Sequence, residues 1–303
     1  MTQRLHDLDA RALREWPLPQ VAADADKEER GRVLVAGGSR EIAGAVQLAA
    51  IAALRAGAGK LVIATARSVA QHMSQVVPEA RVIALAETGA GSFDAKSVEA
   101  IGSTFDGVAA VLVGPGMMDA RGSVAFTRAL LERCRGIPVV LDASAMDVVS
   151  DLGRFGQPVL MTPHAGEMAH LLGIGKEDVV RDAQRIACDA AAQWNAVVAL
   201  KGSTTWIATP QGECWRHEGE SPGLATSGSG DVLAGLMLGF AARGVPLQQA
   251  CAWGVVMHAL AGQWLARELG PLGFLARELP GAVPALMKKA GAPVRRSRVP
   301  KAG

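Results

Sequence analysis

Val33-Leu34-Val35-Ala36 runs straight into Gly37-Gly38-Ser39, and that join, a short apolar run closed by glycine or a polar residue, recurs along the chain. Val111-Leu112-Val113 leads into Gly114-Pro115-Gly116, Val139-Val140-Leu141 into Asp142, Leu160-Met161 into Thr162-Pro163-His164, and Val198-Ala199-Leu200 into Lys201-Gly202-Ser203-Thr204-Thr205. Runs this short and apolar on both faces are strands of a buried parallel sheet. Strands are predicted at 33–36, 60–64, 80–85, 109–113, 138–142, 159–162, 196–200 and 205–208. Helical periodicity falls between them, at 44–56, 95–103, 121–134, 166–172, 178–194, 230–242 and 247–268. Cys214 and Trp215 are placed in a hairpin with 206–209 through Pro210-Gln211-Gly212. The alternation predicts one α/β domain, a mostly parallel central sheet with helices on both faces.

Ligands of such sheets bind beyond the carboxyl ends of the strands, which is where the glycine-rich and polar clusters lie. Another cluster precedes a helix: Ala225-Thr226-Ser227-Gly228-Ser229-Gly230-Asp231-Val232-Leu233-Ala234-Gly235. Gly228 and Gly230 allow successive N–H groups to converge as an anion-binding nest, and the helix that follows adds its positive end. Asp231 in that setting is either a base beside a phosphate or an ordinary first-turn carboxylate.

The whole chain narrows the function classes. Its 303 residues are 50% hydrophobic and 20% charged, and the net charge of +2 offers no field for a polyanion or an anionic membrane. The Trp residues show no stacking ladder for nucleic acid. Cysteines at 134, 188, 214 and 251 have no C-x-x-C spacing, which points to buried thiols in the cytoplasm. Residues 1–30 lack a signal-peptide apolar core, and the stretch 250–266, holding His258 and Gln263, reads as a buried helix and no membrane span. Lys288, Lys289, Arg295, Arg296, Arg298 and Lys301 sit among Pro, Gly and Ala as a basic, flexible tail. The expected organisation is an N-terminal extension over 1–30, a catalytic domain over 31–285 and a tail over 286–303.

Taken in order, these clusters resemble the ADP-dependent NAD(P)H-hydrate dehydratases of the ribokinase-like superfamily. The resemblance runs from about Gly31 to Gly270 and is carried by Val35-Ala36-Gly37-Gly38-Ser39 with Gly44-Ala45, 53–59, Val113-Gly114-Pro115-Gly116-Met117, Leu141-Asp142-Ala143, 162–168, Leu200-Lys201-Gly202 and 224–231. It implies a ribokinase-like fold and dehydration of hydrated NADH or NADPH, with ADP as co-substrate and Mg²⁺ as cofactor. AMP, phosphate and NAD(P)H would be the products. It also implies a homo-oligomer without nucleic-acid or membrane partners. Many relatives carry an N-terminal epimerase domain, and the roughly thirty residues before the first strand are expected to leave no room for one.

Carried over residue by residue, the resemblance makes Asp231 the base, with Gly228, Ser229 and Gly230 stabilising charge through the amides of Ser229 and Gly230. Ala45, Gly116, His164 and Asp231 would contact the hydrated dinucleotide. Lys201, Gly202, Ser203, Thr204, Thr205 and Gly230 would contact the nucleotide, and Glu167 would organise the metal through water. Each has a structural alternative: a histidine hydrogen-bonded at a strand end for His164, a helix-start carboxylate for Glu167, tight turns or close packing for Gly116 and Ala45. Asp142 is kept outside the primary site, as a metal or phosphate organiser or as a structural hydrogen-bonding residue. Ser39-Arg40-Glu41-Ile42-Ala43 is more polar than the family pattern. Two rivals stand: a small-molecule alcohol kinase of the same superfamily acting on a pyrimidine, thiazole or pyridoxal alcohol, and a nucleotide sensor without turnover.

Overall fold

The computed structural model describes residues 4–20, 26–89, 91, 93, 95–219 and 221–291. Its strands are β1 (Arg4–Asp7), β2 (Arg32–Ala36), β3 (Lys60–Ala66), β4 (Ala80–Leu85), β5 (Val108–Val113), β6 (Val139–Leu141), β7 (Val159–Met161), β8 (Val197–Leu200), β9 (Thr204–Ala208) and β10 (Glu213–Glu218). The helices are α1 (Ala10–Glu15), α2 (Ala43–Arg55), α3 (Arg67–Val76), α4 (Ala120–Arg133), α5 (Val148–Leu152), α6 (Ala165–Leu172), α7 (Lys176–Arg181), α8 (Ala183–Trp194), α9 (Ser229–Ala241), α10 (Leu247–Glu268) and α11 (Leu279–Ala290).

All ten strands join one sheet in the order β1-β10-β9-β8-β7-β6-β5-β2-β3-β4. The run from β4 to β8 is parallel, β9 and β10 pair antiparallel as the expected hairpin, and β1 closes the edge parallel to β10. From β2 the chain winds outward to β3 and β4, then returns to β5 beside β2 and winds the other way. The sheet therefore has its switch point between β2 and β5, where loops diverge and leave a crevice.

Alternation along each strand divides the core in two. Val33, Val35, Ala110 and Leu112 face one layer with α2, α9 and α10, while Leu34, Ala36, Val111 and Val113 face the other with α4 and α8. In the first layer α2 and α9 meet main chain to main chain. A Cβ at Gly235 would overlap the carbonyl oxygen of Ala49, and one at Gly239 that of Ala53. Glycines and alanines at this spacing draw the helices closer than larger side chains allow.

Some expectations shift in the structure. The helix expected at 95–103 is two 3-10 turns, Ala95–Ala100 and Gly102–Phe105, and the one at 178–194 breaks at Asp182 into α7 and α8. The N-terminal extension is part of the sheet through β1. The boundary at 285 falls inside α11, and the expected tail beyond residue 291 lies outside the described residues. Among the described residues no helix is long and apolar enough to cross a membrane.

Candidate active site

The clusters seen in the sequence meet on one rim of the sheet. At the switch point the turns after β2 and β5 are tied together: Gly38 N–H donates to Pro115 O at 2.6 Å and Gly114 N–H to Ala36 O at 3.1 Å. Gly116, at φ +71°, lies against α2, where an added Cβ would overlap the Ile42 carbonyl oxygen and stand 3.0 Å from the Ala45 Cβ. Ala45 and Gly116 thus share one floor, made of main chain and the smallest side chains. One turn further along α2, Leu48 abuts Gly228, which has φ +87° and is the N-cap of α9.

The strand ends on the other side of β5 carry charge. Gly114 sits against the Asp142 carbonyl, and the Asp142 N–H donates to Val113 O at 3.0 Å, so the floor passes directly into the end of β6. Asp142 is buried. Its Oδ1 accepts the Thr162 hydroxyl at 2.6 Å and lies 3.3 Å from Lys201 Nζ. Lys201 Nζ is also 3.9 Å from Glu167 Oε2, and a Cβ on Gly230 would be 3.5 Å from it. The ammonium at the end of β8 therefore stands at the mouth of α9. Burial works against its charge, but the carboxylates of Asp142, Glu167 and Asp231 outweigh that cost and raise its pKa.

Asp231, in the first turn of α9, is half-buried. Burial raises its pKa and the Asp142 carboxylate raises it further; Lys201 and the residue's own backbone N–H pull the other way, Glu167 pushes up again, and the carboxyl stands at about 7. The group can take or give a proton near neutrality. The sequence placed the phosphate amides at Ser229 and Gly230, but Ser229 N–H donates to Thr226 O at 3.2 Å. Among the described residues the Gly230 N–H has no carbonyl partner, while the Asp231 N–H serves its own carboxylate. Ser229 drops out because the turn closes on Thr226 before the helix starts.

His164 is the N-cap of α6. Its Nδ1 accepts from the N–H groups of Gly166 and Glu167 at 3.0 and 3.1 Å, while Glu167 Oε2 accepts the His164 N–H at 2.7 Å. This is a capping box with histidine in the place of serine or threonine. An Nδ1 that accepts twice carries no hydrogen, so Nε2 bears it, on a ring 58% exposed at the site's edge. The sequence expected a histidine hydrogen-bonded at a strand end or one contacting substrate; the structure makes His164 a helix cap whose exposed Nε2 stands 3.7 Å from Glu167 Oε2. Gly202, Ser203 and Thr204 line a hollow of about 840 Å³ with Lys201, Ala165, Arg181, Arg185 and Trp206. Thr205 does not line it; it is paired with His217 inside the hairpin. Asp231 does not line the hollow either, and Lys201 is the side chain common to the hollow and the carboxylate cluster.

A magnesium ion fits this donor set only if phosphate and water supply most of its ligands. Among the described residues no group of three or more His, Cys, Asp or Glu side chains could hold a metal, and Glu167 Oε2 is already bonded to the His164 backbone. Asp142, which the sequence left outside the primary site, is held by Thr162 and lies against Lys201, the ammonium shared with Glu167. A buried strand running straight into a carboxylate was the available signal. Thr162 is visible in the sequence as the polar end of a strand without an assigned role, and His258 only as part of a buried helix.

Comparison with known proteins agrees with this architecture. A family model described as NAD(P)H-hydrate dehydratase matches residues 33–284. The ADP-dependent (S)-NAD(P)H-hydrate dehydratase of Xanthomonas campestris pv. campestris is 45% identical over 94% of this chain and 97% of its own length. The bifunctional NAD(P)H-hydrate repair enzyme Nnr of Moorella thermoacetica is 36% identical over 89% of this chain, which spans only 52% of that longer protein. In structure, the ADP/ATP-dependent NAD(P)H-hydrate dehydratase of Bacillus subtilis, co-crystallised with ATP and Mg²⁺, superimposes with a TM-score of 0.78 at 30% identity, covering 93% of this chain and 96% of that one.

Proposed function

The chain belongs to the NAD(P)H-hydrate dehydratase family, and from that membership we propose the chemistry of its site: ADP-dependent dehydration of the (6S)-hydrate of NADH or NADPH, giving the reduced coenzyme, AMP and phosphate. The observation that carries the reading is Asp231, a carboxyl raised to about 7 in the first turn of α9, beside the open amide of Gly230 and the Lys201 ammonium.

Hydroxide is a poor leaving group, so the hydroxyl must first be converted. The C6 oxygen of the hydrate attacks the β-phosphorus of ADP as its proton passes to Asp231, and the bond between that phosphorus and the bridging oxygen breaks to release AMP. The Gly230 amide and Lys201 face the charge that gathers on the transferred phosphoryl oxygens. The ring nitrogen lone pair then expels phosphate from C6, and loss of a proton from the adjacent carbon restores the dihydropyridine. Gly202, Ser203 and Thr204 offer main-chain and hydroxyl contacts to the nucleotide along the hollow, and Ala45 and Gly116 let the dinucleotide lie flat on the switch-point floor. His164 reaches it through Nε2–H. Glu167 and Asp142 would hold Mg²⁺ through water, and the ion would offset phosphate charge when bound.

Four unpaired, buried cysteines suit a reducing compartment, and we place the enzyme in the cytoplasm as a homo-oligomer, with light scattering as the check on subunit number. The reaction is tested by mixing purified protein, ADP, Mg²⁺ and hydrated NADPH. Return of the dihydropyridine absorbance with one AMP per turnover supports it. Absence of AMP together with phosphorylation of a pyrimidine, thiazole or pyridoxal alcohol would give the site to a kinase.

A further inference from the structure

Helix α9 begins without a side-chain cap, because its N-cap is Gly228. A serine or aspartate at that position would order the first turn by consuming one of its free N–H groups. Here the turn is held from behind instead. His258 on α10 places Nε2 3.0 Å from the Oγ and 3.1 Å from the carbonyl oxygen of Ser229, the first residue of α9. A carbonyl oxygen only accepts, so Nε2 bears the hydrogen and shares it between the two oxygens. Burial keeps the ring neutral by pushing its pKa down to about 4; the Ser229 carbonyl opposes this, and Lys201 and His217 reinforce it.

We propose that His258 is a positioning residue for the dehydration: through Ser229 it clamps the first turn of α9 from the rear, so that the turn is ordered while the Gly230 amide stays free for the phosphoryl group. The inference rests on the reading of Asp231 as the base. It explains why the glycine-rich start of this helix can be rigid and unspent at once, since the anchoring bonds come from a different helix.

The test compares His258→Met, which keeps volume and loses the donor, with His258→Gln, whose amide restores one. His258→Met is expected to lower kcat by about 100-fold with little change in the KM for ADP, the scale of a misplaced reacting group. His258→Gln is expected to recover most of that loss. A folded Met variant with wild-type kcat, or a Gln variant no faster than Met, would overturn the proposal. Independently of any substrate, ¹⁵N shifts of the wild-type imidazole should report hydrogen on Nε2, and hydrogen on Nδ1 alone would also overturn it. Wild-type AMP release in the same assay judges the reaction itself; its absence would sink that reading, while the tautomer would still decide the role of His258.

Discussion

The switch-point floor and the charged cluster lie at neighbouring strand ends and are built of opposite materials. Around Gly38, Ala45 and Gly116 the chain presents backbone and methyl groups. Around Lys201 three carboxylates and an ammonium converge from β6, α6, β8 and α9. In the proposed reaction the first region gives shape and the second gives chemistry, so damage to the two should be separable in kinetics: loss of fit raises KM, and loss of a group acting in the transition state lowers kcat.

The sharpest challenge to that division is Asp231→Asn. It should lower kcat by about 10²- to 10⁴-fold, the range for losing a general base, while calorimetry still detects ADP binding. The same variant should melt higher than wild type above pH 7. The carboxyl is harder to ionise in the fold, at about 7, than at its ordinary value of 3.8, so the stability it contributes is complete at acid pH and lost as pH rises through 7. An unchanged melting profile would contradict the burial of that charge. In wild type, kcat should fall on the acid side as Asp231 takes up its proton near pH 7.

Lys201→Met comes next. Removing one donor to developing charge costs about 10²- to 10³-fold in kcat. The ammonium also lowers the Asp231 pKa, so without it the acid limb should move to higher pH. Movement the other way would show that another cation governs the base. Gly116→Ala probes the floor: the added methyl overlaps the Ile42 carbonyl at a φ of +71°, and the KM for the hydrate should rise about tenfold, near 1.4 kcal/mol, with kcat nearly kept. A fall in kcat alone would erase the distinction between floor and cluster. The mildest effect is expected from Asp142→Asn, which removes a charge that raises the Asp231 pKa and frees Lys201 to lower it further. Its acid limb should move to lower pH, measured as the pH profile of kcat.

The two regions also differ in how plainly the sequence displayed them. The floor was visible because glycines after apolar runs mark strand ends, and the long α10 was visible from its uninterrupted helical period. The family resemblance named the right chemistry, since a family model matching residues 33–284 and a 45% identical dehydratase agree with it. Other features depend on contacts distant in the chain. Arg4–Asp7 has no apolar alternation, and it becomes a strand by pairing with β10, where His6 stacks on Trp215 with ring centroids 5.7 Å apart. The break at Asp182 leaves the amphipathic pattern on both sides intact. Ser229 looked like a nest donor until the turn closed on Thr226, and His258 could be read only as core until α10 was seen to lie behind α9. Asp142 stayed open between organising metal or phosphate and a structural role because its partners Thr162 and Lys201 come from other strands.

The seam between α2 and α9 has a last consequence. Ala45 and Leu48 belong to one helix and Asp231 to the other, and the two touch through the Cα of Gly235 and the main chain of Ala49. The span from the Ala45 and Gly116 floor to the Asp231 carboxyl is thus gauged by covalent backbone dimensions, which no rotamer can lengthen. Any residue larger than glycine at 235 would recalibrate the ruler itself.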